Sequence, residues 1–325
     1  MRLRLFFSGG ATSQLMALAS GIYIEKFHNR KFQLVYCHAP MSHTDGFVLG
    51  SLLNENEIEI YNSAKKHYAH VKGDRLWRFI PVFAQKYMTP LRRVYELAMR
   101  FGLFINLSIG NRKSSSIHLR YFGDTRSFRH ISEDTTSISG NFWPGVVHEV
   151  SKELDNRFQS SGLPNIFQIA SKAPNTLAIH YRLGDMRTDP LWKVSHGVMD
   201  PSTLAKRVRE LEKKSQSAYL VKVFSDEPYI AKKLFESIGI TEWEYATAGN
   251  IWLDIIEMLR AQYFIGSFST VSMLVAEIHS GIHGFQSFLP RNARKHNVKH
   301  RQAGVKYFQA KTLHLEHWIY SDLKS

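Results

Sequence analysis

The sequence predicts a two-domain α/β protein built on parallel sheets. Strand–turn–helix units recur in both halves, and the apolar runs are short and bounded by turn residues. The 325 residues are about twice the length of an ordinary domain. Hydrophobic residues make up 44% and aromatic residues 13%, which excludes a disordered tail protein. No segment approaches the roughly 18 uninterrupted apolar residues of a membrane-spanning helix.

Residues 1–7, MRLRLFF, read as a short strand, followed by a Gly9-Gly10 turn and by TSQLMALASGIYIEKF, whose apolar residues fall at helical spacing. KFQLVYCHA is the next buried strand and completes a β-α-β opening. From about Asn54 to Arg120 the pattern is helical but irregular. LWRFIPVFAQKYMTPLRRVYELAMRFGLFINL, split by two prolines, reads as core helices with basic outer faces or as an interfacial helix on anionic lipid. NRKSSSIHLRYFGDTRSFRHISEDTTS is polar and turn-rich, as loops are. SSGLP supplies a boundary, giving domains 1–160 and 161–325. The second half alternates regularly: NTLAIHYRLGD is a strand, PSTLAKRVRELEKKS a helix, AYLVKVFSD a strand, and EPYIAKKLFESIG a helix closed by Gly239. WLDIIEMLRAQ is a helix, YFIGSFST a strand and STVSMLVAEIHSG a helix, so this half is doubly wound, with ligands expected beyond the carboxyl ends of its strands.

Lys and Arg number 42 against 28 Asp and Glu, a formal charge of +14 that favours anionic partners. The single cysteine, Cys37, rules out an internal disulfide and a cysteine zinc site and fits a reducing compartment. MRLRLFF leads straight into SGGATSQ without the apolar stretch and cleavage site of a secretory signal, so the expected location is the cytoplasm. Peripheral contact with an anionic inner membrane would suit the basic and aromatic segments. No nucleic-acid partner is expected, because the basic residues are scattered and no recognised binding motif accompanies them. The alternative class is a basic nucleic-acid-binding protein or a catalytically inactive nucleotide-binding protein.

Three strand ends in the second half carry small polar or charged clusters: HYRLGD, SDEP and GSFST. In a parallel sheet these ends meet on one edge, where an arginine, carboxylates, hydroxyls and exposed backbone N–H groups form a cradle for a nucleoside diphosphate. Arg182 lies at its centre, as a fork for two diphosphate oxygens or as half of a structural pair with Asp185. His180 precedes it, packing locally or acting in catalysis. There is no D-x-D for a metal-bound diphosphate, and the EWE run at Glu242–Glu244 reads as a solvated face. His279/His283 and His296/His300 stand at helical spacing. Gly281 interrupts the first pair and lysines surround the second, so no metal site is expected. RNARKHNVKHRQ reads as a solvated loop or edge, with contact to a lipid diphosphate as its other reading.

His180, Arg182, Gly184 and Asp185 resemble the H-x-R-x-G-D signature of the α-1,2-, α-1,6- and protein O-fucosyltransferases. The order that follows is most similar to the bacterial α-1,2-fucosyltransferases of glycosyltransferase family 11. It runs through His196-Gly197-Val198, Phe224-Ser225-Asp226 and Ser267-Phe268-Ser269-Thr270. The amino-terminal half is similar more loosely: SGGATSQ keeps Gly9, Gly10 and Gln14 of G-G-x-G-N-Q but carries Thr12 and Ser13, and ISGNFW resembles G-Y-(F/W)-Q-S. The chain departs from the family at Leu183, where it has a second arginine, and at Val271 and Ser272, where it has tryptophans.

The resemblance implies a GT-B-like architecture, two Rossmann-like domains facing a central cleft, with the acceptor held by the first and the GDP-sugar by the second. It implies inverting transfer of L-fucose from GDP-fucose to a hydroxyl of a glycan acceptor, through an α-1,2 linkage, in cell-surface polysaccharide or O-antigen synthesis. No metal or other cofactor is required in that scheme. Charge on the departing GDP would be offset by Arg182, by the hydroxyls of Ser267, Ser269 and Thr270, and by the helix start beside them. Asp226 would suit ribose or guanine N–H groups. By their motif positions Ser225, Phe268, Gly10 and Gln14 complete the donor set. For the base, Asp185, Asp189 and His196 are candidates; Asp185 is favoured, with orientation of Arg182 as its other role.

Overall fold

The chain divides into two units, residues 1–162 and 163–325, each organised around an all-parallel sheet. The computed structural model describes residues 2–7, 9–37, 47–61, 115–122, 131, 133–142, 144–169, 172–184, 186, 198–246, 249–290 and 305–313.

In the first unit, β1 (Leu3–Phe7) is followed by α1 (Ala11–His28), β2 (Phe32–Cys37) and β3 (Ile58–Tyr61), then by β4 (Ser115–Phe122), β5 (Thr135–Phe142) and α2 (Ser151–Ser161). The strand order is β3-β2-β1-β5-β4, so the Gly9-Gly10 turn leaves β1 where the sheet changes direction. Gly9 adopts φ 115, a conformation that costs other residues steric strain. Gln14 then fixes the turn: its Nε2 donates to Gly9 O at 3.1 Å and its Oε1 accepts from Val48 N at 2.9 Å. α1 has no polar face. Thr12, Gln14, Ser20 and Gly21 are buried together with Leu15, Met16, Leu18, Ile22 and Ile24, because the helix packs against β1, β2 and β5 and against the 3-10 turns Pro144–Val146 and His148–Val150. It ends at Asn29 in the left-handed region, with Lys26 and His28 complementing the dipole of its last turn.

The helical expectation for Asn54 to Arg120 is corrected at both ends. Glu55–Glu57 is a 3-10 turn and Ile58–Tyr61 a strand paired with β2, while Ser115–Phe122 is a strand paired with β5. IEIY alternates with period two, and sheet pairing overrides the weak helical pattern around it. In the same way Thr135–Phe142, expected to begin as a loop, is a strand whose β-branched and hydroxyl residues tolerate a sheet interior. The aromatic and basic stretch 76–107 lies outside the described residues.

In the second unit the elements follow the expected alternation. They are β6 (Ala173–His180), β7 (Val198–Met199), α3 (Pro201–Ser215), β8 (Leu220–Phe224), α4 (Pro228–Glu236), β9 (Glu244–Tyr245), α5 (Ile251–Arg260), β10 (Ala261–Ile265) and α6 (Thr270–Ala276), with a π turn at Glu277–Ile282. β11 (Gln286–Pro290), β12 (Val305–Phe308) and β13 (Thr312–Leu313) complete it. Counted within the main sheet, β9-β8-β6-β10-β11-β12 is the order 3-2-1-4-5-6 of a doubly wound Rossmann-type sheet. Helix starts are set by side chains: Asp200 accepts from Ser202 N at 2.8 Å, Asn250 from Trp252 N at 2.8 Å and Ser269 from Val271 N at 3.1 Å. Apolar residues of β6, β8 and β10, including Ile179, Val223 and Ile265, meet Leu204, Val208, Leu234 and Phe235 of α3 and α4 in one buried cluster. β7 and β13 form a separate antiparallel pair, beside which Tyr181 donates its hydroxyl to Met199 O at 2.7 Å.

Among the described residues no helix is long and apolar enough to cross a membrane. Packing of α1 makes a testable demand at Gly21, where a Cβ would lie 2.5 Å from Phe32 Cδ2. Gly21→Ala gains about 1 kcal/mol of helix propensity, but crowding a buried ring costs about 1–3 kcal/mol. Chemical unfolding should therefore show net destabilisation; a stabilised variant would contradict the packing.

Candidate active site

β6 and β10 are neighbours, yet the chain reaches β10 only after travelling out to β9 and back. Their carboxyl ends therefore bracket the topological switch point, where open α/β sheets bind ligands. HYRL leaves β6 here and GSFST leaves β10, while SD leaves β8 on the other side of β6.

Arg182 is held at both ends. Its backbone N donates to Ser267 Oγ at 3.0 Å, and its guanidinium Nε lies 3.3 Å from Asp226 Oδ2. The side chain keeps 26% of its surface exposed, so the cation is oriented without being buried. Asp226 Oδ1 accepts from Leu183 N at 2.9 Å, so one carboxylate fixes both the guanidinium and the backbone beyond it. A Cβ on Gly184 would lie 2.5 Å from Asp226 Oδ2, so any side chain there would displace this carboxylate from its present position. A half-exposed pair of this kind contributes about 0–1 kcal/mol to stability; its effect is to restrict where the guanidinium points. Ser225 Oγ accepts from Glu227 N at 3.1 Å and shapes the turn that presents Asp226.

His180 is 7% exposed, and its Nδ1 lies 2.8 Å from Ser272 Oγ. Burial pushes its pKa down to about 4, against an upward pull from Asp226 and with a further downward push from Arg182. The ring is therefore neutral at neutral pH. Ser272 Oγ also accepts from Ser267 N at 3.0 Å. Gly266 makes room for it: a Cβ there would lie 2.6 Å from Ser272 Cβ.

The structure thus brings together Arg182, His180, Asp226 and Ser267 of the residues singled out in the sequence, with Ser269 capping α6 and Thr270 beginning it. Ser267, Phe268 and Ser269 are buried at 2%, 7% and 8% exposure, and the Ser267 hydroxyl meets the backbone of Arg182. Gly10 and Gln14 belong to the first unit, where both ends of the Gln14 amide bond the backbone. Asp185, Asp189, His196 and Gly197 lie outside the described residues, as do His296 and His300. Among the described residues Asp226, on a neighbouring strand end, is a carboxylate partner of the arginine. Ser272 and Gly266 were not among the anticipated site residues. Their signal is a pair of small residues flanking S-F-S-T, legible only once β6 and β10 are known to be adjacent.

His279, the second buried histidine, uses both ring nitrogens in the fold: Nδ1 lies 2.8 Å from Ser287 Oγ and Nε2 2.9 Å from Ala261 O. Among the described residues no group of three or more His, Cys, Asp or Glu side chains is placed to hold a metal ion. Glu242 and Glu244 are exposed, as a solvated face requires.

No protein family of known sequence pattern matches the chain, and no curated protein does. Among solved structures it is similar to E. coli heptosyltransferase WaaC with ADP, at 11% identity and TM-score 0.40, covering 94% of this chain and 93% of that one. POFUT1 in complex with GDP is similar at 12% identity and TM-score 0.36, covering 94% of this chain and 98% of that one. NodZ α-1,6-fucosyltransferase soaked with GDP-fucose is similar at 11% identity and TM-score 0.35, covering 85% and 92%. The fold itself is defined by the two sheet orders.

His180 and His279 both have pKa values held down at about 4, against an ordinary 6.5. The unfolded chain therefore takes up protons between those values that the folded chain does not, and stability falls as pH drops through that window. From about pH 7.5 to about pH 5.5 each histidine accounts for roughly 1 kcal/mol of the loss. Urea unfolding of His279→Gln at the two pH values should show a difference smaller by about that amount; an unchanged difference would mean that His279 is not held neutral.

Proposed function

We propose that the protein is a sugar-nucleotide-dependent glycosyltransferase that uses GDP-fucose and transfers L-fucose, with inversion and without a metal, to a hydroxyl of a glycan acceptor. One observation carries this reading: an oriented, half-exposed guanidinium at the switch point of a doubly wound sheet. The placement suits a nucleoside diphosphate, because the fork of Arg182 can engage two phosphate oxygens while Asp226 limits its rotation. The H-x-R-x-G-D pattern around Arg182 supports GDP-fucose as the donor, and the loose resemblance of the amino-terminal half supports an acceptor role for residues 1–160 beside a donor role for residues 161–325.

In this reading the bond from the sugar's anomeric carbon to the β-phosphate oxygen breaks as the acceptor oxygen bonds to the opposite face of that carbon. Arg182 offsets the negative charge that grows on GDP, an interaction stronger in the transition state than in the ground state. The acceptor proton passes to a carboxylate, for which Asp185 is the candidate. His180, buried and neutral, holds the strand end from which Arg182 projects. Ser267 anchors the Arg182 backbone, and Thr270, at the start of α6, is the hydroxyl assigned to the donor in this reading. An α-1,2 linkage, a lipid-linked acceptor of the O-antigen type and peripheral contact with an anionic membrane follow from the same family pattern and the basic charge.

Calorimetric titration in EDTA against GDP, UDP, ADP and GDP-fucose tests the donor. GDP should bind at least about tenfold more tightly than UDP or ADP, and Arg182→Ala should lose that binding; equal affinities would overturn the reading. Arg182→Lys should lose most turnover, by about tenfold or more, because a point charge cannot reproduce the planar fork. Turnover like that of the wild type would remove Arg182 from catalysis.

A further inference from the structure

Three hydrogen bonds close a ring across the β6–β10 seam. Ser272 Oγ lies 2.8 Å from His180 Nδ1 and accepts from Ser267 N at 3.0 Å, while Ser267 Oγ accepts from Arg182 N at 3.0 Å. The backbone from His180 to Arg182 completes it. Ser272 is the hub, because its one hydroxyl meets both the His180 ring and the Ser267 N–H, and through them it is linked to Arg182. Its surroundings leave little latitude. The residue is fully buried, and Gly266 approaches so closely that any Cβ there would lie 2.6 Å from Ser272 Cβ and 2.9 Å from its hydroxyl.

We propose that Ser272 is a positioning residue for the nucleoside diphosphate, setting through this ring the backbone from which the Arg182 guanidinium projects. The inference rests on the donor site proposed above and adds a residue that itself need not touch the donor. A hydroxyl at this place does two things. It satisfies the Ser267 N–H at the end of β10, which would otherwise be buried without an acceptor. It also ties that strand end to β6 by way of His180, so that two loops from distant parts of the chain keep one spacing. Without the hydroxyl, the Ser267 side chain and the Arg182 backbone N–H lose their common reference. The guanidinium then has more orientations open to it, and each must be given up again on binding.

The same unit contains its own control. His279 Nδ1 and Ser287 Oγ form a second buried pair at the same 2.8 Å, but its other bonds run to Ala261 O and to Ser280 Oγ, away from Arg182. Ser272→Ala and Ser287→Ala therefore remove chemically similar hydroxyls from similar partners. GDP affinity in EDTA and thermal unfolding should be measured for both, and for Ser272→Ala combined with Arg182→Lys, which keeps a cation at the site. Both single variants should lose some stability. Only Ser272→Ala should weaken GDP binding, by roughly fivefold to tenfold, about the net worth of one buried hydrogen bond, and in the Arg182→Lys background, where there is no planar fork to orient, the effect should shrink. Equal changes in GDP affinity for the two serines, or an undiminished Ser272→Ala effect in the Arg182→Lys background, would overturn the proposal. If Ser272→Ala fails to fold, Ser272→Cys, close in volume and a weaker hydrogen-bonding group, makes the same comparison. A wild-type protein that does not bind GDP overturns the donor site and this inference with it, whereas GDP binding unaffected by Ser272→Ala overturns this inference alone.

Discussion

A long cationic side chain at a strand end would normally sample many rotamers, and a ligand would have to arrest them. At Arg182 that freedom is restricted in advance by Asp226, whose two carboxylate oxygens meet the guanidinium Nε and the Leu183 N–H. The rest of the site is arranged around this carboxylate. Gly184 leaves room for it. The turn after β8 is shaped by Ser225 so that Asp226 faces β6, and Ser267 holds the Arg182 backbone from the opposite side. Contributions to stability from a half-exposed ion pair are small, so what it supplies here is direction.

The two sheets use their switch points differently. In the second unit the ends of β6 and β8 beside the switch carry a guanidinium, a carboxylate and a neutral buried histidine. In the first unit, the turn after β1 is occupied by backbone and by the amide of Gln14, which ties Gly9 to Val48. The buried stretch of α1 from Gln14 to Ile22 accepts only small, apolar or internally satisfied residues. Ser20 bonds back to Met16 O, and Gly21 admits the Phe32 ring. The polar residues of α1 thus serve packing and turn geometry.

Much of this was legible in the sequence because the second half keeps clean periodicities. α3, with Pro201 at its start, and β8, α4, α5, β10 and α6 follow directly from apolar spacing and caps, whereas the two residues of β9 fall where only a solvated face is expected. The failures have physical causes. β4 and β5 carry serine, threonine and charged residues where a strand is expected to be apolar, so their pairing with each other and with β1 decides their structure. β7 and β13 are too short to show a period. β11 and β12 lie in a stretch where no regular element was expected. That Asp226 meets Arg182 depends on which strands are neighbours, because the β6–β8 pairing brings the two strand ends together. In the sequence Ser272 stands out only as a departure from the family's tryptophan, since a serine on an apolar helix gains meaning only when His180 lies across the seam.

The strand order also bears on when the site comes into being. β6 is the first strand of its sheet to leave the ribosome, yet the neighbour that carries Ser267 emerges only after α3, β8, α4, β9 and α5 have been made. β7 waits longer still, because its partner β13 follows every other described element. During synthesis the edge of β6 that will meet β10 is therefore an open ladder of unpaired amide and carbonyl groups, capable of pairing with any extended segment nearby. Slow, long-range closure of this kind dominates folding times in parallel sheets, so the nascent chain carries its greatest risk of mispairing at the seam where the finished protein places its charged cluster.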